Sequence, residues 1–255
     1  MKGLLIKDLM CLRKQCLLFV FLVFAVFIVS IMFVLSVRFG NMARLAQTES
    51  GLEDELEMVS TFVLMLFMLL PISMTGDITS VFVADGKANF SRVSSSLPIS
   101  IEKRLLSRYL MLGAMFGIGI GVDIVIAFIL SLLTEIISFA DFFGIIISAA
   151  SIMLIYSALA ILFCLMLDYG KEAYAQSCAI STMMLGFYIF SYKDINHLFT
   201  SIFLESGEEA VESSFFHFLD FLKYKSYVVF IIAIVTVFLS YGLSLAVAKR
   251  KRGII

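Results

Sequence analysis

Six long apolar runs, at about 17–37, 59–83, 109–133, 142–167, 174–192 and 227–248, alternate with polar stretches of very different character. At 1.5 Å per residue each run is about long enough to cross the ~30 Å hydrocarbon core of a bilayer as a helix. The pattern therefore predicts an all-α integral membrane protein of six transmembrane helices in a single domain over 1–255, with no room for a sizeable soluble domain. Ahead of the first run, Leu5, Leu9, Leu12 and Cys16 recur at helical spacing among Lys2, Lys7, Asp8, Arg13 and Lys14. That spacing predicts an interfacial helix over 1–16 leading into the first span. It does not fit a signal peptide, because the apolar run that follows is too long and no small-residue cleavage site closes it.

One polar interruption, 84–108, carries mixed charge with a basic excess. Phe90, Val93 and Leu97 fall at i, i+3 and i+7 with Lys87 and Arg92 off that line, a narrow amphipathic stripe. Ser94, Ser95 and Ser96 weaken the helix, and Pro98 disfavours helical geometry at Leu97 while its missing N–H prevents continuation. A second helix then starts at Ser100 as N-cap, with Glu102 in the first turn, where a negative side chain suits the helix dipole. Lys103, Arg104 and Arg108 lead from there into the third apolar run. The stretch reads as a helix-break-helix module lying across the membrane surface. Read by themselves, these residues suit binding to lipid headgroups, docking into a cleft of a soluble partner, or a solvated basic loop.

Charge adds a direction to this picture. Of the lysines and arginines, 14 fall in the segments that alternate with the N-terminus on one side of the six runs and 5 in the segments on the other. By the positive-inside rule both termini and the 84–108 module are cytoplasmic. The opposite segments are acidic: Glu49, Glu53, Asp54, Glu55 and Glu57 crowd the first, and Asp194, Glu205, Glu208, Glu209, Glu212 and Asp220 populate 193–226. Both solubility at the outer headgroups and an acidic exit mouth for a cationic or amphipathic cargo fit those carboxylates. The aromatics of 193–226, among them Phe199, Phe203, Phe215, Phe216, Phe218 and Phe221, suit helices lying on the outer leaflet.

Composition agrees, with 61% hydrophobic and 15% charged residues. None of the four cysteines lies in an outer segment, so no disulfide framework is implied. With no C-x-x-C pair and with His197 and His217 remote from the cysteines, no metal site is expected. There is no phosphate-binding loop: Asp85-Gly86-Lys87 lacks the preceding strand and glycine. No hydrolase or intramembrane-protease pattern is present either, so catalysis by the chain itself is not expected.

Two carboxylates fall inside predicted spans. Asp77 lies 18 residues past Val59, about 27 Å along a helix and so near the inner interface. It belongs to a polar patch with Ser73, Thr75, Gly76, Thr79 and Ser80 just after Pro71, as in a kinked span opening onto water. Asp123 lies 14 residues past Tyr109, about 21 Å toward the outer half. As an ionisable group within a span it is a candidate for lining a transport pathway, or for facing a wet cavity between helices. Gly113, Gly117 and Gly121, spaced by four, form a small-x-x-x-small face for close helix packing, within the subunit or across a dimer.

The order of a leader with Lys7-Asp8-Leu9, a first span, an acidic outer loop, a second span, Phe82-x-x-Asp85-x-Lys87-x-x-Phe90, Ser96-Leu97-Pro98-Ile99-Ser100 and Tyr109-Leu110 resembles the six-span permease subunits of type-2 ABC exporters. At the Phe90 position that family often has tryptophan, which this chain lacks altogether. The resemblance implies that 1–16 is an elbow helix and that 84–97 holds a coupling helix between spans 2 and 3, docking into a separately encoded ATPase. Phe90, Leu97 and Pro98 would then form or shape the apolar anchor, with Asp85, Lys87 and Arg92 as polar contacts at its rim. It further implies two such chains, as a homodimer, over two ATPase subunits that bind the ATP and magnesium, with no cofactor in this chain and no nucleic-acid partner. The compact length and short loops resemble permeases of Gram-positive bacteria that export phenol-soluble modulins and related antimicrobial-type peptides. That likeness implies an amphipathic peptide cargo, lipid contact and a place in the bacterial cell membrane. A non-transporting immunity, sensor or lipid-binding scaffold subunit is a second reading, and a secondary transporter a third, which would need coupling-ion sites near the midplane and repeated halves.

Overall fold

The computed structural model describes residues 2–39, 79–87, 100–133, 139–167, 171–190, 192 and 225–252, and every regular element among them is a helix. In chain order these are α1 (Lys2–Cys11), α2 (Arg13–Phe39), α3 (Thr79–Lys87), α4 (Ile101–Leu133), α5 (Phe139–Met166), α6 (Glu172–Phe190) and α7 (Ser226–Arg252). Three helices among the described residues, over Ile101–Leu132, Phe142–Met166 and Ser226–Lys251, are long and apolar enough to cross a membrane. A fourth is added if α1 and α2, bent by 58° between Gly3–Cys11 and Cys16–Met32, count as one broken span. The second expected span lies outside the described residues except for its last turns, now in α3.

The N-terminal helix turns a different face inward from the one its leucines suggest. Leu5, Asp8 and Leu12 are the turned-in positions, at i, i+3 and i+7, whereas Leu9 and Met10 are exposed. The reason is Asp8, which is buried against α4 and rotates the helix away from a purely apolar contact. Hydrogen bonds from Leu12 N to Asp8 O (3.1 Å) and from Cys16 N to Leu12 O (2.8 Å) run through the bend, so the chain changes direction without leaving backbone groups bare.

Helix α4 begins as its sequence suggests. The Lys103 N–H donates to Ser100 Oγ at 3.4 Å, Arg104 N donates to Ser100 O at 3.3 Å, and Glu102 occupies the first turn. Nothing between Glu102 and Leu110 breaks the helix, so residues 101–108 do not form a separate surface helix. They are the first turns of a 33-residue rod that is, at about 50 Å, much longer than a bilayer core. Its basic start therefore projects beyond the hydrocarbon.

At the centre stands α5, against which α3, α4, α6 and α7 all pack. Small side chains permit this: Ser148, Ser151, Ser157, Ala158 and Ala160 are fully buried. The Ser151 hydroxyl donates to Ile147 O (2.6 Å) and that of Ser157 to Met153 O (2.8 Å), which satisfies them within the helix. On the outer side, α2, α4 and α7 leave rows of large apolar residues exposed, among them Phe21, Phe24, Val125, Phe128, Ile231 and Phe238, as surfaces facing lipid require.

Candidate functional site

Where α1, α3 and the start of α4 meet, four charged side chains converge. Lys7 Nζ donates to Asp85 Oδ1 at 2.7 Å, and Arg108 Nη2 donates to Asp85 Oδ2 at 2.5 Å. Lys7 Nζ also lies 3.0 Å from Asp8 Oδ1, while the Ser107 hydroxyl donates to Asp8 Oδ2 at 3.4 Å. Two cations thus balance two carboxylates across three helices. The carboxylates are sealed in, and Lys7 and Arg108 keep only 25% and 15% of their side-chain surface. This is far from a loose surface pair, where solvent would screen most of the attraction.

The apolar setting explains why the charges hold this geometry. Leu12, Val81, Phe82, Leu105 and Tyr109 enclose the cluster, and the Arg108 guanidinium lies 3.9 Å from the centroid of the Phe82 ring. A cation over a ring face gains attraction there without another acceptor. Just beyond it, Ser240 Oγ donates its single proton to Ala158 O at 2.6 Å. The Tyr109 hydroxyl at 2.7 Å must then donate to Ser240 Oγ, and Ser244 Oγ at 3.2 Å must donate to Tyr109. Tyr241 packs edge-on against Tyr109 with centroids 5.4 Å apart. The ion cluster therefore sits on a second lock joining α4, α5 and α7.

Placement of the expected site residues is uneven. Asp85 does not stand on an open rim: it is buried, with both oxygens taken by this chain's own cations. Lys87 closes α3, while Asp77, Phe90, Arg92, Leu97 and Pro98 lie outside the described residues. Asp123 is fully buried in α4, and neither carboxylate oxygen has a hydrogen-bond partner among the described residues. Gly113, Gly117 and Gly121 face open space, with no described atom within 4 Å of where a Cβ would stand. They are not a packing face between the described helices.

Against known proteins, the chain matches the family model for the ABC-2 family transporter protein over residues 50–249. This chain belongs to the ABC-2 family. It is thus the permease component of an ABC transporter and a multi-pass membrane protein, of a family whose members usually work with an ABC ATPase. No curated protein and no solved structure matches it. The ABC-2 match takes in Asp85, Arg108, Tyr109, Asp123 and Ser240 but not α1. Half of the ion cluster, Lys7 and Asp8, thus comes from a segment outside the matched region.

Sequence reading missed that Lys7, Asp85 and Arg108 form one group. A signal was present: Asp85 and Arg108 lie beside the end and the start of apolar runs on the side assigned to the cytoplasm, and Lys7 belongs to the N-terminal segment assigned to that same side. Charges of both signs at one membrane face are set to pair wherever burial is imposed. Chemically the cluster is ion pairing, with one hydroxyl–carboxylate contact from Ser107 to Asp8. It offers a stiff electrostatic tie through which displacement of α3 is felt by α1 and α4.

Proposed function

We propose that the chain is the membrane-spanning half of an ATP-driven exporter, coupled through residues 84–108 to a separate ATPase. The ABC-2 match over 50–249 carries this reading. What supports the coupling role is that residues 88–99 are bracketed by two anchored helix ends. Before them, α3 is held through Asp85; after them, α4 starts from a capped Ser100 and is held through Arg108. Force applied between two such ends would move α3 and α4 as near-rigid levers.

In this reading Phe90, Leu97 and Pro98 shape the apolar contact with the ATPase, and Lys87 and Arg92 make polar contacts at its edge. Asp85 acts behind that contact as a tie. Two copies of the chain over two ATPase subunits form the exporter, the ATPases hold ATP and magnesium, and the cargo is an amphipathic, antimicrobial-type peptide. An uncovered α4 face along Gly113, Gly117 and Gly121 suits a second copy. The six-span arrangement with an elbow helix and cytoplasmic termini belongs to the same reading, in the bacterial cell membrane.

The test is co-expression with a candidate ABC ATPase from the same genome, followed by ATPase assay of the purified complex and of its Phe90→Ala and Lys87→Glu variants. Co-purification of the ATPase, with loss of assembly or of cargo-stimulated turnover in either variant, supports coupling. If no ATPase is retained and the substitutions alter only lipid binding, the exporter reading fails in favour of a membrane-surface scaffold.

A further inference from the structure

Asp123 stands in α4 where the described residues around it offer no compensation. Its side chain is fully buried, and both oxygens lack a partner among the described residues. On its own helix Phe116 lies seven residues before it, and Ile126, Ala127 and Leu130 lie three, four and seven residues after it. These share one helical face and join a cluster with Phe142, Ile145, Ile146 and Ala150 of α5, flanked by Val23 and Phe27 of α2. One turn beyond Phe27 the hydroxyl of Ser30 is buried too, and it has no partner among the described residues either.

Along the sequence, the ionisable residues of the packed helices fall outside the contact stretches. On α2, Arg13, Lys14 and Cys16 precede the stretch 23–30, and Arg38 follows it by about two turns. On α5, Asp141 precedes the stretch 142–150, while Tyr156 and Cys164 follow it. The hydrogen bonds of α7 to α4 fall at Tyr109, about 21 Å along the helix from Asp123, and that of α1 falls at Ser107, further still. None of the six apolar runs contains a lysine or arginine, and the only ionisable residue of 59–83 is Asp77, another acid. Among the described residues no cation pairs with Asp123, and the apolar runs themselves carry none.

An ionised carboxylate without a partner costs far more in an apolar interior than a neutral acid. We propose that Asp123 is a proton-binding site: its carboxyl carries a proton while α4 is packed against α2 and α5. Its ligand is the proton itself, which needs no cavity. A protonated acid in an apolar helix seam is also a modification site for hydrophobic carbodiimides. The acid proton passes to a carbodiimide nitrogen as the carboxylate oxygen bonds to the central carbon. An oxygen-to-nitrogen acyl shift then leaves a stable N-acylurea, with no group expelled. The inference concerns the resting chain and does not depend on the exporter reading.

The test uses the full chain in phospholipid nanodiscs at neutral pH. Infrared spectra of protein grown with carbon-13-carboxyl aspartate are expected to show an isotope-shifted carboxylic-acid carbonyl band, absent from Asp123→Asn. Dicyclohexylcarbodiimide is expected to add its full mass to the peptide holding Asp123, with at least tenfold less labelling by a charged, water-soluble carbodiimide. Lack of the acid band in the labelled native chain, which needs no variant to fold, overturns the proposal. Equal labelling of Asp123 by the water-soluble reagent overturns it as well, because the carboxyl would then be open to water.

Discussion

Asp85 and Asp123 are the same residue, both buried in the same helical bundle, and the fold treats them in opposite ways. Asp85 receives Lys7 from α1 and Arg108 from α4, one cation on each oxygen. Asp123 receives none among the described residues. Burial alone therefore says little about what a carboxylate does. Compensated by the chain's own cations it acts as a structural tie, and uncompensated it must hold a proton.

The largest expected effect breaks the first half of that contrast. Asp85→Asn leaves Arg108 partly buried against a neutral acceptor and Lys7 with only Asp8 of the cluster's two carboxylates. Removing one partner of such a group typically costs about 3–5 kcal/mol. The melting midpoint of the purified chain in detergent, followed by loss of the monodisperse peak, should fall further for this variant than for any other named here. A midpoint within error of the native chain would mean that the cluster is not a tie.

A double substitution sharpens the point. Arg108→Met alone removes one of two cations from Asp85; combined with Asp85→Asn it leaves only Lys7, which retains Asp8 at 3.0 Å. The double variant should lose less than the sum of the two single losses, with a coupling of about 1–3 kcal/mol, as for residues in one network. Strict additivity of the midpoints would show that Asp85 and Arg108 act separately.

The second half of the contrast predicts a small effect. If Asp123 is already neutral, Asp123→Asn exchanges one uncharged polar group for another of nearly the same shape. The expected change is below about 1 kcal/mol, because neither form leaves a buried charge unpaired. A loss as large as that of Asp85→Asn would show that Asp123 is ionised and held by a partner.

Both outcomes bear on what could be read before folding. The N-cap at Ser100 was legible because capping is local: the Lys103 N–H and the Ser100 hydroxyl lie three residues apart. The third apolar run was legible too, and it lies wholly within α4. The inward face of α1 was not, because apolar periodicity chooses Leu9 over Asp8 and cannot anticipate that a charge will be turned in. Asp85 was assigned to an open rim for a related reason: its cations lie 78 and 23 residues away in the chain. Local pattern carries no information about such pairings, whereas the absence of any basic residue from the spans, which bears on Asp123, was plain in the sequence.

The smallest expected effect tests whether distance or burial gives the Asp85 cluster its strength. Lys249 Nζ stands 2.7 Å from Glu102 Oε1, the same separation as Lys7 from Asp85, but its side chain and that of Glu102 are 58% and 55% exposed. Water and salt screen such a pair, and fixing two long side chains costs entropy. Glu102→Gln should therefore leave the melting midpoint unchanged at physiological ionic strength, whereas Asp85→Asn lowers it. If the two substitutions lowered the midpoint equally, the shared 2.7 Å contact would be what matters, and the difference drawn between sealed and exposed charges would fail with it.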